Sequence, residues 1–442
     1  MPFEALTAAS ARRRFAVISF LSWLPTGLTI APMVLLMSER GLSVAEIGLV
    51  SAIYSALCIA LELPTGGLAD VIGRRWTLAA SAAFALAGVA MMAFATSLWP
   101  FALSAVLRGI GRALSSGPAE AWYVDTLHAV EGPDADLKPG LARGGAMGSV
   151  SLAVGVLAGG LIPLLVPDGP VSPLAVPVLA SVVASAVLLV AALVTMPEPP
   201  RHRTTLGTVL RGVPETVRDG LRLALRDLGL RRLLLISFAF GVALNSIELL
   251  TPQRLASLTG QAETGGTLYA LVAALGFGAG AAGSALAPAA ARLFRGSVGG
   301  SIAGVVVMAG AVGALAASVA LDGVPGMVAT AAAYVVIYAA LSAVGVLRSE
   351  MMHRRVASGR RATLMSVSSL QLQFGGMTSS LALGWLTAQL GIGGTWGVVA
   401  VVVLVSAALF VRLPEVSPAR VELPSPAPGP RGRSGSGSRS SA

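Results

Sequence analysis

The chain has 442 residues, 55% of them hydrophobic and only 12% charged, with a net charge of +10 and a mean hydropathy of +0.79. A soluble domain carries about 25% charged residues, so an ordinary water-coated globule is excluded. Apolar stretches near 20 residues recur, each long enough to cross ~30 Å of hydrocarbon, and without period-two alternation they exclude a membrane β-barrel. The expected class is an all-α integral membrane protein.

Twelve apolar spans are expected, near residues 15–37, 45–69, 77–97, 101–124, 144–166, 174–196, 232–252, 267–290, 298–320, 326–347, 363–387 and 393–412. The first follows MPFEALTAASARRR, which has no small-residue cleavage site, so the span is expected to be retained. Span one carries Trp23 and Thr26, with Pro25 and Pro32 expected to kink it. Span two carries Cys58, read as a small packing residue; as the one cysteine of the chain it allows neither an internal disulfide nor a multi-cysteine metal site. The same span holds Glu62 and runs into LPTGGLADVIGRRW (63–76). There Gly66 and Gly67 allow close helix approach, Gly73 permits a tight turn, and Asp70, Arg74 and Arg75 form a knot of charge.

Span four holds Arg108, Arg112 and Glu120 and ends near Asp125. Between spans six and seven, residues 197–231 carry Leu206, Val209, Leu210, Val213, Val217, Leu221, Ala224 and Leu228 at helical spacing, an amphipathic helix expected on the inner membrane face. Span seven brings Asn245 and Glu248, span ten Tyr334 and Tyr338, span eleven Gln371 and Gln373. A Pro/Ser/Gly-rich basic tail, 414–442, is expected to be disordered. This divides the chain into six-helix halves, 1–196 and 232–413.

Twenty-seven of the 31 Lys and Arg residues fall in loops on one side, if Arg40 and Arg254 are assigned to loops on the other and Arg108 and Arg112 to span four. By the positive-inside rule both termini are then cytoplasmic. The charge is a topology signal, and no nucleic-acid partner is expected. Arg outnumbers Lys thirty to one, which points to a GC-rich prokaryotic genome and hence to the plasma membrane. The halves also echo each other: AMGSVSLAVG (146–155) opens span five and LMSVSSLQLQ (364–373) opens span eleven, as expected of duplicated bundles.

GGLADVIGRR resembles the loop 2–3 motif of the major facilitator superfamily at Gly66, Asp70, Gly73, Arg74 and Arg75, with Val71 in place of the first basic residue. RGIGRALSSGPAEAWYVD (108–125) is similar to that family's fourth helix. The resemblance implies two pseudo-symmetric six-helix bundles (the major facilitator fold). It also implies a conformational latch in which Asp70 faces the start of span eleven near 361–363 and Arg74 pairs with Asp125. Glu120 is expected to join Arg74 and Arg75. Drug exporters of the family carry a Gly-Pro-x-x-Gly-Gly run in helix five; GVLAGG (155–160) has the glycines, but Pro163 comes too late.

Five ionisable residues lie within spans: Glu62, Arg108, Arg112, Glu120 and Glu248. Each costs at least ~2.5–3.5 kcal/mol at the bilayer centre without a partner or water, so all five are expected to face the interior. At ~1.5 Å per residue, Glu248 and Asn245 reach a depth similar to that of Arg108 and Arg112 and stand across a cavity from them. That pairing reads either as a carboxyl that exchanges protons or as a permanent interhelical salt bridge. Trp23, Thr26, Tyr334, Tyr338, Gln371 and Gln373 are candidates to line the path.

No His-Glu-x-x-His, P-loop or nucleophile elbow occurs, and His128, His202 and His353 fall in loops, so an enzyme is not expected. No cofactor or metal is expected. The leading expectation is a monomeric secondary transporter that exports amphipathic compounds against protons. Uptake or exchange of a small metabolite is the alternative, and a non-transporting sensor a third.

Overall fold

The computed structural model describes residues 6–167, 169–198, 222, 227–356 and 361–414, apart from the side chains of Leu63, Pro64, Gly66, Gly67, Asp70 and 361–363. The amphipathic stretch of the central loop, apart from Arg222, Asp227 and Leu228, and the tail after Pro414 lie outside the described residues.

Thirteen α-helices account for nearly all of the described chain. Helix α1 (Ala8–Ile30) starts at Thr7, whose side chain accepts a hydrogen bond from the Ser10 backbone at 3.2 Å. It continues into α2 (Pro32–Glu39) through a 41° bend. Pro32 has no N–H to give to the Leu28 carbonyl, which opens the helical ladder there. Pro25 lies inside α1 without ending it, and its carbonyl accepts from Ser181 at 2.9 Å.

A capping box opens α3 (Val44–Ile72): the Ser43 hydroxyl accepts from the Glu46 backbone while Glu46 accepts from the Ser43 backbone. The helix stops at Gly73, whose φ of 110° suits only glycine, and α4 (Arg74–Phe94) begins at once. The fourth span is not continuous: α5 (Leu98–Ser115) and α6 (Pro118–Glu131) are separated at Gly117, with φ 94°. Then follow α7 (Lys138–Leu165) and α8 (Val176–Thr195).

The second half comprises α9 (Leu228–Thr259), α10 (Ala262–Leu293), α11 (Ser297–Ala317), α12 (Gly323–His353) and α13 (Arg361–Ser406). The last is two helices joined across a break at Gly391, with φ 67°. Among the described residues nine helices are long and apolar enough to cross a membrane, ten if α1 and α2 are one span. With α5–α6 as one broken crossing and α13 as two, the architecture accords with twelve. Arg254, expected in an outer loop, instead lies inside α9. It is only 8% exposed, and its guanidinium donates to the carbonyls of Ser318, Val319 and Leu321, capping the end of the α11 span.

Glycine decides how the helices meet. Gly144, Gly148, Gly155 and Gly159 form one stripe along α7 against Phe15, Trp23, Gly27 and Leu28 of α1. Small residues let backbones approach closely where lipid offers no hydrophobic drive. A Cβ at Gly155 would stand 2.8 Å from the Gly27 Cα. Gly155→Leu is therefore expected to pry α7 from α1 at ~1–3 kcal/mol or more, and thermal unfolding of the purified protein should report this as a lower midpoint.

The corresponding pair in the second half is α9 with α13, where Gly241 meets Leu372 and Gly375 meets Phe238. Ser151 donates to the Phe20 carbonyl at 2.6 Å, and Ser368 meets Ser237 at 3.2 Å. The two pairs are separated by the same interval along the chain, which ties the repeated SVS segments to equivalent packing positions.

The halves touch along two faces, α3 against α13 and α7 against α10. Their close glycine contacts, among the described residues, all lie toward one end. Gly48 meets Ser380, Gly384 meets Ala45, Gly160 meets Ala270, and Gly266 meets Leu35. Thr267 donates to the Gly160 carbonyl at 2.6 Å. This seal lies at the end opposite the basic loops.

Candidate functional site

Between the halves, on the basic-loop side of the seal, lies a cavity of about 350 Å³. Arg108, Tyr54 and Thr26 contribute to its first-half wall, and Asn245, Glu248, Tyr269 and Gln373 to its second-half wall. Met33, Met37, Leu244 and Leu249 give it an apolar body. A smaller cavity of about 130 Å³ shares Arg108, Tyr54, Thr26 and Thr29 with it and extends to Trp23 and Arg112.

Arg108 is fixed by the way α5 docks on α4. Ser104 donates to the Gly88 carbonyl at 2.8 Å and Ser81 to the Gly111 carbonyl at 2.7 Å, while Gly88 leaves room for the arginine stem. The guanidinium sits over the Tyr54 ring, 5.6 Å from its centroid. One nitrogen points at the sulfurs of Met33 (3.2 Å) and Met92 (3.5 Å). Arg112, one turn on, lies over the Trp23 ring at 5.5 Å and donates to Ser115.

Glu248 is exposed on the cavity wall, and its Oε1 accepts from the Tyr338 hydroxyl at 2.8 Å. Tyr334 donates to Tyr338 at 3.2 Å, with the two rings stacked 4.7 Å apart. Tyr269 meets Tyr334 edge-on at 6.1 Å. Tyr338 and Tyr334 thus stand behind one carboxylate, with Tyr269 packed against them and reaching the cavity wall. Asn245 accepts from Ser380 at 2.9 Å. Among the described residues no ion pair joins Glu248 to Arg108, so the permanent salt bridge left open by the sequence is not formed.

Glu62 lines neither cavity but is bonded to Gln373, which lines the larger one. It accepts from Gln373 across the interface at 2.9 Å and is also hydrogen-bonded by Ser369. Tyr334 and Tyr338, expected to line the path, are instead buried behind Glu248. Gln371 lines neither cavity.

At the basic end Arg74 stands 3.5 Å from Asp125. The Arg75 backbone donates to Glu198 at 2.8 Å, and its guanidinium covers Trp76. Gly73 makes the turn between α3 and α4, and Gly66 and Asp70 lie on α3, their side-chain surroundings outside the described residues. Among the described residues no ion pair or hydrogen bond joins Glu120 to this group. It is exposed in the first turn of α6, at a helix start created by the Gly117 break, where a carboxylate meets the positive end of the helix dipole.

Sequence reasoning missed Tyr54 and Tyr269. Tyr54 had a readable signal, since Tyr54, Cys58 and Glu62 recur every four residues on one face of α3. Tyr269 had none, because it sits near the start of α10 in an apolar run.

Among curated proteins, no sequence matches this chain. Solved structures share its fold. The nucleoside transporter NupG is 14% identical with a TM-score of 0.74, covering 91% of this chain and 98% of that one. A bacterial homologue of the human lysosomal transporter Spinster, inward-facing and unoccupied, is 15% identical with a TM-score of 0.72, covering 91% and 96%. A bacterial homologue of the iron transporter ferroportin, inward-facing, is 15% identical with a TM-score of 0.70, covering 92% and 99%. The family model of the Major Facilitator Superfamily matches residues 15–347. With that match over most of its length, two helical halves around a central cavity, and the loop 2–3 motif in place, this chain belongs to the Major Facilitator Superfamily and is a multi-pass membrane transporter.

Proposed function

We propose that the protein is a proton-coupled exporter of amphipathic compounds, working by alternating access to the cavity between its halves. The observation that carries the reading is Glu248: a carboxylate on the cavity wall, held by one tyrosine hydroxyl and free of any cationic partner among the described residues. A carboxyl placed so can take up and release a proton as the cavity changes sides. The apolar body of the cavity suits an amphipathic cargo. With the basic loops and both termini cytoplasmic by the positive-inside rule, a cavity on the basic-loop side of the seal would be the inward-facing state of a monomer in the plasma membrane.

Closure of the basic end would bring Asp70 to the start of α13, while Arg74 and Asp125 hold the α4 and α6 ends together as a latch. Glu62 and Gln373 would act as the gate between cavity and basic end. Uptake or exchange of a small metabolite by a symporter or uniporter uses the same parts, with substrate and proton carried together or substrate carried alone.

The test is flux in proteoliposomes under an imposed pH gradient, with cationic, zwitterionic and neutral amphiphiles and small metabolites as cargo. Substrate-dependent proton movement supports the reading. Substrate movement without protons removes the coupling, and accumulation along the proton gradient replaces export with uptake. Tyr338→Phe deletes the hydroxyl that holds Glu248 and leaves the ring stack. A hydrogen bond to a charged group is worth ~1.5–3 kcal/mol, so coupled flux is expected to drop about tenfold or more, and because Tyr334 loses its acceptor as well, the unfolding midpoint is expected to fall with it.

A further inference from the structure

The two charged walls of the cavity are complementary to a ligand, and neither is satisfied by the other. Arg108 presents five N–H donors, and its hydrogen bonds among the described residues go to two thioether sulfurs, which are weak acceptors. The Tyr54 ring beside it offers a π face. On the opposite wall Glu248 accepts one hydrogen bond, at Oε1, from Tyr338. Both residues line one cavity of about 350 Å³, between Met33, Met37, Leu244 and Leu249.

A cargo bearing only a positive charge would satisfy Glu248 and leave Arg108 a desolvated cation facing another. A cargo bearing only a negative charge would do the reverse. Burying a charge beside an unpaired charge is strongly unfavourable, whereas pairing each with its own hydrogen-bonded counter-ion is not. We infer that the cavity is built for a zwitterionic amphiphile. Its carboxylate sits on Arg108, its ammonium group on Glu248, and its apolar body lies between the methionines and leucines.

Arg112 reinforces the anionic pole. It is one helical turn beyond Arg108, in the adjoining chamber, held over Trp23. A carboxylate arriving from the basic end would meet Arg112 first. The inference rests on the transporter reading for its biological sense, but the charge pattern can be tested by binding alone.

The probe is the dipeptide leucylphenylalanine, which carries both charges and two apolar side chains. Its C-terminal amide is a cation only, its N-acetyl derivative an anion only, and the doubly blocked compound neutral. Binding of all four to the purified full-length protein in detergent is measured by ligand-dependent thermal stabilisation and by calorimetry. The dipeptide is expected to bind at least about tenfold more tightly than either singly charged analogue. Arg108→Gln should erase the difference between dipeptide and amide. Glu248→Gln should erase the difference between dipeptide and N-acetyl derivative. Arg108→Lys keeps the charge and should keep the preference, so a fold defect in Arg108→Gln cannot mimic the result.

Equal affinity of the amide and the dipeptide for the wild type overturns the inference. So does absence of binding by all four at millimolar concentration. Flux separates this outcome from failure of the transporter reading. Discriminating binding without movement of any compound removes proton-coupled export and leaves the charge pattern standing. Movement of the amide at the rate of the dipeptide keeps the transporter and removes the zwitterion.

Discussion

Glu248→Gln lowers proton-coupled flux at least about tenfold and leaves the protein folded. The amide keeps the shape of the carboxyl and still accepts the Tyr338 hydroxyl through its oxygen, so the contacts with α12 survive. What it loses is the exchangeable proton. Each tenfold loss of rate corresponds to about 1.4 kcal/mol, and on the proposed proton coupling the loss of this carboxyl exceeds that. Side-by-side proteoliposomes with a pH-sensitive dye inside check the result. Full coupling in Glu248→Gln would move the proton site elsewhere, with Glu62 the next candidate because it is a half-buried carboxylate bonded across the interface to Gln373.

Gly48→Leu and Gly384→Leu are each expected to cut transport sharply by holding the sealed end apart. A side chain at position 48 would overlap the Ser380 carbonyl, and one at 384 would overlap Ala45. Both obstacles are backbone or begin at it, so neither can rotate away, unlike a flexible side chain. Flux is expected to fall at least about tenfold, as one of the two states of the cycle can no longer close. Gly310→Leu is the control, because nothing lies within 4 Å of a Cβ there. The geometric claim is checked by labelling Ser51→Cys, on the cavity wall, in a Cys58→Ser background. A reagent confined to the sealed side should modify it in Gly48→Leu and not in the unsubstituted background. Protection in both would mean that the seal does not depend on close approach of α3 and α13.

Apolar length is a one-dimensional property, so the spans and the side on which basic loops collect could be read directly from the sequence. Depth along a helix is also nearly one-dimensional: counting residues puts Glu248, Asn245 and Arg108 at similar depths, and they do line one cavity. Azimuth and partner choice are not legible in this way. Tyr334 and Tyr338 share a face as their spacing requires, but that face turns to Tyr269 and Phe277 rather than to open space.

The break at Gly117 escaped notice because SSGPAE lies inside an otherwise acceptable apolar window. It displaced Glu120 from the network expected for it and gave it a helix start instead. The glycine run at 155–160 reads as an imperfect helix-five motif, yet its local role is packing. Gly155 and Gly159 fit against α1, and Gly160 fits against α10 across the interface. Which neighbour a small residue admits depends on the fold as a whole, and no local spacing encodes it.

The central claim is that the two halves rock about the cavity, exchanging the sealed end for the basic end. Spin-label pairs at Ser38 and Gln261, on the sealed end, and at Arg143 and Arg292, on the basic end, measure it directly. All four residues are exposed and stand on different halves within each pair. Distances are recorded in liposomes at acidic and alkaline pH, with and without a transported amphiphile. The account predicts reciprocal changes: under the conditions that lengthen the Ser38–Gln261 distance, the Arg143–Arg292 distance shortens. Two distances that stay fixed under every condition while the cargo still moves would contradict it.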